Sequence, residues 1–119
     1  MGFDRLMGPT KKRTVSKELT TGNSDIYTCP DHYDGDVNSI IVTNASANVV
    51  TVSLDWYDSD ATTYYTIMEQ VELKPYSLVQ LTEYPLYLRR QNKIRGLASV
   101  GAVVTVTVAV DENYNGVLG

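Results

Sequence analysis

The chain has 119 residues and a mass of 13.2 kDa, one domain's worth, enough to bury about two-thirds of its unfolded surface. Hydrophobic residues make up 43% and charged residues 20%, with a net charge of −4, a balance that excludes a disordered chain. No apolar run approaches the ~18–20 residues that span a bilayer, and the opening residues lack the apolar stretch and small-residue cleavage site of a secretory signal. Myristoylation fails too, because Leu6 stands where the motif needs Ser or Thr.

A single cysteine, Cys29, allows no internal disulfide, as expected of synthesis in a reducing cytoplasm. A single histidine, His32, is the one side chain that titrates near neutrality without a large perturbation. The sequence holds no Ser-His-Asp set with its supporting motif, no HExxH, no paired CxxC and no phosphate loop. The expectation is a binding or structural module without enzymatic activity, cofactor or metal.

The first element is a basic segment. Residues 1–13 carry Arg5, Lys11, Lys12 and Arg13 against Asp4, a balance of +3, whereas the remainder sums to −7. Such a split marks either a solvated terminus or an extended arm that docks on an acidic or neighbouring surface. Ordering these 13 residues costs on the order of 13–26 kcal/mol, a cost that interface burial on a partner can offset. Extended, the arm reaches about 43 Å. Phe3, Leu6 and Met7 are its natural anchors, and Arg5, Lys11, Lys12 and Arg13 its charge contacts.

Residues 14–112 read as a sandwich domain, with 113–119 as a tail. Val15, Lys17 and Leu19 alternate with polar neighbours in a first strand, and 25–29 forms a second, stopped by Pro30. Ile40-Ile41-Val42 lies in a strand over 38–43 with both faces covered. Val50, Val52, Leu54 and Trp56 alternate against polar residues and point inward. Residues 62–69, rich in Thr and Tyr, come next. Glu72-Leu73 and 78–82 flank Pro75, and 93–99 is interrupted by Gly96. A closing strand at 102–110 sets four valines on one side and Thr105, Thr107 and Ala109 on the other. Turn vocabulary at Asp34-Gly35, Asn44-Ala45-Ser46, Asp58-Ser59-Asp60, Lys74-Pro75-Tyr76 and Val100-Gly101 separates them. Only 86–90 offers a possible helical turn. The prediction is an all-β, two-sheet β-sandwich of about eight strands, Ig-like or jelly-roll, with an N-terminal arm.

Several local groups compete for function. Asp31, Asp34 and Asp36 have the chemistry of a Ca²⁺ loop, but Tyr33 occupies a ligand position and no Glu follows, so a turn is expected. Asp55, Asp58 and Asp60 beside Trp56 and Tyr57 resemble a sugar platform, yet alternation sends Trp56 to the core. Nine tyrosines against one phenylalanine point to half-wet positions, with Tyr64, Tyr65, Tyr84 and Tyr87 placed at the surface. Arg89 and Arg90, with Lys93 and Arg95, form the one basic cluster of the body. They suit interface ion pairs better than specific nucleic-acid binding, since stacking aromatics are not interleaved. Cys29 is expected to be a buried, inert thiol.

Ile26-Tyr27-Thr28-Cys29-Pro30, the run from Val37 to Asn44, and Val50-Thr51-Val52-Ser53-Leu54 together resemble small virion structural proteins of tailed bacteriophages. Val71-Glu72-Leu73 with Ser77, Pro85-Leu86-Tyr87-Leu88, Lys93-Ile94 and the closing Val-Thr strand extend the likeness from Leu19 to Glu112. It departs where Gln91-Asn92 replaces a Gly-Asp turn, and it leaves out the basic arm. The resemblance implies a repeated, non-enzymatic part of a virion made in the bacterial cytoplasm. The preferred placement is a capsid decoration or cement protein that bridges major capsid subunits through its arm. The alternatives are a head–tail or tail ring component and, in a different class, a carbohydrate-binding adhesion module. Many copies in one particle, no membrane and no specific nucleic acid are expected.

Overall fold

Alternation at a period of two governs nearly every element. The computed structural model describes residues 10–81 and 86–115, and among these the regular structure is entirely β. The strands are β1 (Thr10–Glu18), β2 (Ser24–Thr28), β3 (Tyr33–Asn44), β4 (Val50–Asp58), β5 (Thr63–Leu73), β6 (Leu78–Leu81), β7 (Leu86–Leu88), β8 (Lys93–Ala98) and β9 (Val104–Tyr114). One sheet has the order β1-β9-β3-β6, with β7 sharing the β3 edge, and the other has the order β2-β8-β4-β5. Every pairing is antiparallel. The partners are nested: β1 with β9, β2 with β8, β3 with β6 and β7, and β4 with β5. That nesting, wound into two facing sheets, is jelly-roll connectivity and decides between the two sandwich types. No helix among the described residues is long and apolar enough to cross a membrane.

The inner faces interdigitate. From β9 come Val104, Val106, Val108 and Val110, from β3 Val37, Ile40 and Val42, from β4 Val50, Val52 and Leu54, and from β8 Ile94 and Ala98, all buried. Each Val, Ile or Leu side chain among them contributes roughly 1.5–3 kcal/mol on burial. Val37 and Ile40 both reach the core although they are three apart, because the β3–β9 register shifts between Val37 and Ser39 and absorbs one residue as a bulge. Buried Asn44 ties two loops together. Its Nδ2 donates to the carbonyls of Asn48 (2.9 Å) and Lys74 (3.0 Å), and its Oδ1 accepts from the Ser46 backbone N–H (2.9 Å).

Several expectations are corrected. Thr10 to Arg13 are not ahead of the sandwich: they are the first residues of β1, paired to β9 from Thr10 opposite Asn113. At the other end, β9 continues to Tyr114, past the expected boundary at 112. Asp34-Gly35 is strand and not turn. The turn lies before it, where His32 takes a positive φ of 69°. Gly35 is closely packed: a Cβ there would sit a tight 3.3 Å from Val110 Cγ2 and in ordinary contact, 3.5 Å, with the Tyr27 hydroxyl. Residues 86–88 are strand β7, drawn into the β3 edge by tertiary pairing that overrides a weak local preference. Residues 63–73 form one strand, bulged twice against β4, with Gln70 at a φ of 48°. Gly96 does not interrupt β8, which runs through it. Phe3, Arg5, Leu6, Met7 and Tyr84 lie outside the described residues.

Candidate functional site: a basic edge strand on a buried glutamate

Three of the predicted partner-binding residues, Lys11, Lys12 and Arg13, are held on β1, and each finds a different environment. Lys12 faces outward and lies 3.6 Å from Asp111 with its side chain 84% exposed, a geometry worth little in stability. The Lys11 ammonium sits 4.7 Å above the Tyr33 ring, and Tyr33 in turn meets Tyr114 edge-on at 5.4 Å. Arg13 points between the sheets. Its Nη1 donates to Oε2 of Glu112 at 3.0 Å, although the carboxylate itself is fully buried.

Glu112 sits where alternation along β9 should put another valine. Its Oε2 also accepts a 2.5 Å hydrogen bond from the Tyr27 hydroxyl on β2, so one carboxylate joins both sheets to the edge strand. Its Oε1 is buried without a protein partner. Burial first, then the hydrogen bond to Glu112, pushes the Tyr27 hydroxyl well above its ordinary range. Next to it, buried Cys29 donates to the Tyr33 carbonyl at 3.3 Å. Burial, reinforced by Glu112 and Asp34 against an opposing hydrogen bond from Tyr27, pushes its thiol up to about 11.

The sign of that shift makes a measurable prediction. A thiol titrating higher in the folded state than in the unfolded one keeps its proton on folding. Its contribution is complete below the ordinary thiol pKa of about 9 and lost as pH rises through about 11. The share of the unfolding free energy that comes from Cys29 should fall by up to about 2 kcal/mol between pH 8.5 and 11. Cys29→Ala should show a shallower decline over the same window in urea titrations. Parallel curves for the two proteins would contradict the assignment.

Arg89 and Arg90 lie exposed in the β7–β8 turn, which follows Leu88 opposite Gly35, at the end of the sheet where Thr10 of β1 meets Asn113. Gln91 Nε2 donates to Asp31 at 3.0 Å, linking that turn to the loop that leads into Tyr33. Three of the four cations read together in the sequence each face a carboxylate. Arg89 approaches Asp60 at 3.9 Å, Lys93 approaches Asp25 at 3.4 Å, and Arg95 reaches Asp55 at 3.2 Å.

The sugar platform is rearranged as well. Trp56 is half-buried and stacks on Tyr65 with centroids 5.2 Å apart. On the opposite face Tyr57 and Tyr64 lie 4.7 Å apart. The chain's own cations lie over these rings, Lys93 5.7 Å from the Tyr57 centroid and Arg95 3.4 Å from that of Tyr64. Beside them a shallow groove runs between Thr51, Ser53, Glu69 and Gln70. Asp34 and Asp36 extend from β3, where Asp36 accepts from Asn113 at 3.1 Å. Among the described residues no three His, Cys, Asp or Glu side chains converge on a common point. Sequence reasoning missed Glu112 and Tyr27. The one available signal was an acidic residue in phase with four inward valines.

No known family's sequence pattern matches the chain, and no curated protein matches it significantly. Solved structures do share the fold. A chain from the capsid of Helicobacter pylori bacteriophage KHP30 superposes with a TM-score of 0.54 at 10% identity, covering 94% of this chain and 93% of that one. A chain from Bacillus endospore appendages, described as disulfide-linked pili, gives 0.52 at 14% identity, covering 90% and 87%. At such identities the likeness is one of architecture.

Proposed function

We propose that this chain is a non-enzymatic structural protein of a bacteriophage virion. In this reading it decorates the capsid, a rigid jelly roll fixed to major capsid subunits through its N-terminal segment and the basic end of β1. The observation that carries the reading is that the basic N-terminal stretch of the sequence runs into an edge strand, from Thr10 onward, that is locked to the body. Residues 1–9, with Phe3, Arg5, Leu6 and Met7, feed directly into a strand that the sandwich holds by backbone pairing and by Arg13 on Glu112. A tether anchored that firmly transmits load to the folded block. The strand and turn resemblance to virion proteins and the shared fold with a phage capsid chain support the same class. Many weak contacts on one particle act together through effective concentration. The sugar-binding reading loses support, because Trp56 stacks on Tyr65 and Lys93 lies over the Tyr57 ring.

Because residues 10–13 belong to β1, the informative truncation removes residues 1–9 only. This variant is expected to keep the unfolding transition of the full chain and to lose at least ten-fold in occupancy on particles, measured by quantitative gel analysis of purified virions. Full occupancy by the truncated chain would overturn the tether. A ring of fixed copy number in light scattering of the isolated chain would favour a head–tail placement instead.

A further inference from the structure

The two sheets have four edges, and three of them are blunted by backbone geometry. Among the described residues, β6 and β7 are four and three residues long, β2 is five residues long with a register shift, and β5 carries two register shifts. Short and bulged edges are how sheets avoid extra strands. β1 is different. It pairs with β9 over nine residues in unbroken register, contains no proline, and among the described strands has no partner on its other side. Its edge is guarded by charge alone: Lys11, Lys12, Arg13 and Lys17 against Glu18. Two copies of β1 laid side by side would set cation against cation, which is unfavourable for directly opposed residues.

We propose that the free edge of β1 is a strand-addition site for an extended acidic segment of a different polypeptide. The register writes the partner's pattern. Lys11, Arg13, Val15 and Lys17 lie on the inward side, opposite Glu112, Val110, Val108 and Val106 across the β9 pairing. An added strand therefore places carboxylates beside Lys11, Arg13 and Lys17, and an apolar side chain beside half-buried Val15. Read along an antiparallel partner, this is acid-x-apolar-x-acid-x-acid. No stretch of this chain has that pattern in either direction, so the partner is heterologous. Backbone hydrogen bonds supply affinity and the alternate side chains supply selectivity, as in other strand additions. The inference does not rest on the virion reading.

The test uses the full chain, isotopically labelled, with synthetic nine-residue peptides. The first peptide carries Glu at the three acidic positions, Val at the apolar one and Thr elsewhere. The second has Lys for each Glu. The third keeps the acidic sequence with alternate backbone nitrogens methylated on the pairing edge. The expected result is slowed hydrogen exchange at every second amide of β1 with the first peptide only. Lys17→Glu, a site outside the Glu112 network, is expected to weaken that binding about tenfold. Protection by the basic peptide, equal binding of the methylated peptide, or no protection by the acidic one would each overturn the proposal. Particle occupancy is not a readout here, so the two proposals can fail separately.

Discussion

Arg13→Ala is expected to destabilise the fold by about 2 kcal/mol, whereas Lys12→Ala, one residue away, should change it by less than about 0.5 kcal/mol. Both residues make ion pairs on β1, and the difference lies in what each leaves behind. Removing Lys12 frees Asp111, which already meets water. Removing Arg13 leaves a carboxylate with no solvent exposure, retaining a single donor, Tyr27. Loss of one partner from a fully buried pair costs about 3–5 kcal/mol. The Arg13 side chain is 47% exposed, so water can partly replace it, and the expected cost is set lower. In urea, with a slope of roughly 1.5 kcal/mol per molar, this moves the midpoint by a little over 1 M. Hydrogen exchange should rise first in the amides of residues 10–14, because Arg13 is the one inward-pointing side chain of that half that grips the core.

A second variant separates the pair from simple packing. Arg13→Met, Glu112→Leu and Tyr27→Phe together remove every polar member and should recover most of the stability, as apolar replacements of buried ion clusters commonly do. If Arg13→Ala proves as mild as Lys12→Ala, Glu112 is satisfied by something other than this guanidinium. The network then has no structural role for β1.

The sequence was most legible where neighbours along the chain and neighbours in space agree. Val50 to Trp56 and Val104 to Val110 announce strands because each residue's inward or outward fate is fixed by period two. Legibility ended where the partner is far away. Nothing near Glu112 reveals Tyr27, 85 positions earlier, and nothing near Thr10 reveals Asn113 across the sheet. Lys11-Lys12-Arg13 carries no apolar alternation, because at an edge the inward positions can be filled by cations. That run therefore resembles an arm. Asp34-Gly35 resembles a turn for a related reason: its glycine packs closely against Val110, which the local sequence does not contain. The acidic and aromatic groups were visible as residues, but their pairing with Lys93 and Arg95 needed the register of β8 against β4.

Gly96 gives the other large expected effect. It lies mid-strand in β8, opposite Leu54 on one side and Ser24 on the other. A Cβ added there would sit 2.5 Å from Leu54 Cδ2, 2.9 Å from the Ser53 carbonyl oxygen and 3.4 Å from Ile26 Cδ1. Leu54 could turn its methyl aside only into a core already filled by other aliphatic side chains. The Ser53 oxygen belongs to β4, which is paired on both sides, so it moves only if the ladder moves. Gly96→Ala is expected to cost about 3 kcal/mol, at the upper end for overpacking a close-packed interior, and to lower the melting temperature by roughly 10 °C. Gly22→Ala, with nothing within 4 Å of the added carbon, should stay within about 0.5 kcal/mol of the parent. Leu54→Val in the Gly96→Ala background should cost about 1 kcal/mol less than in the parent, since it removes the nearer of the two clashes. Strict additivity of the two changes would place the strain at the Ser53 carbonyl, and a neutral Gly96→Ala would mean that β4 and β8 do not lie as close as this packing requires.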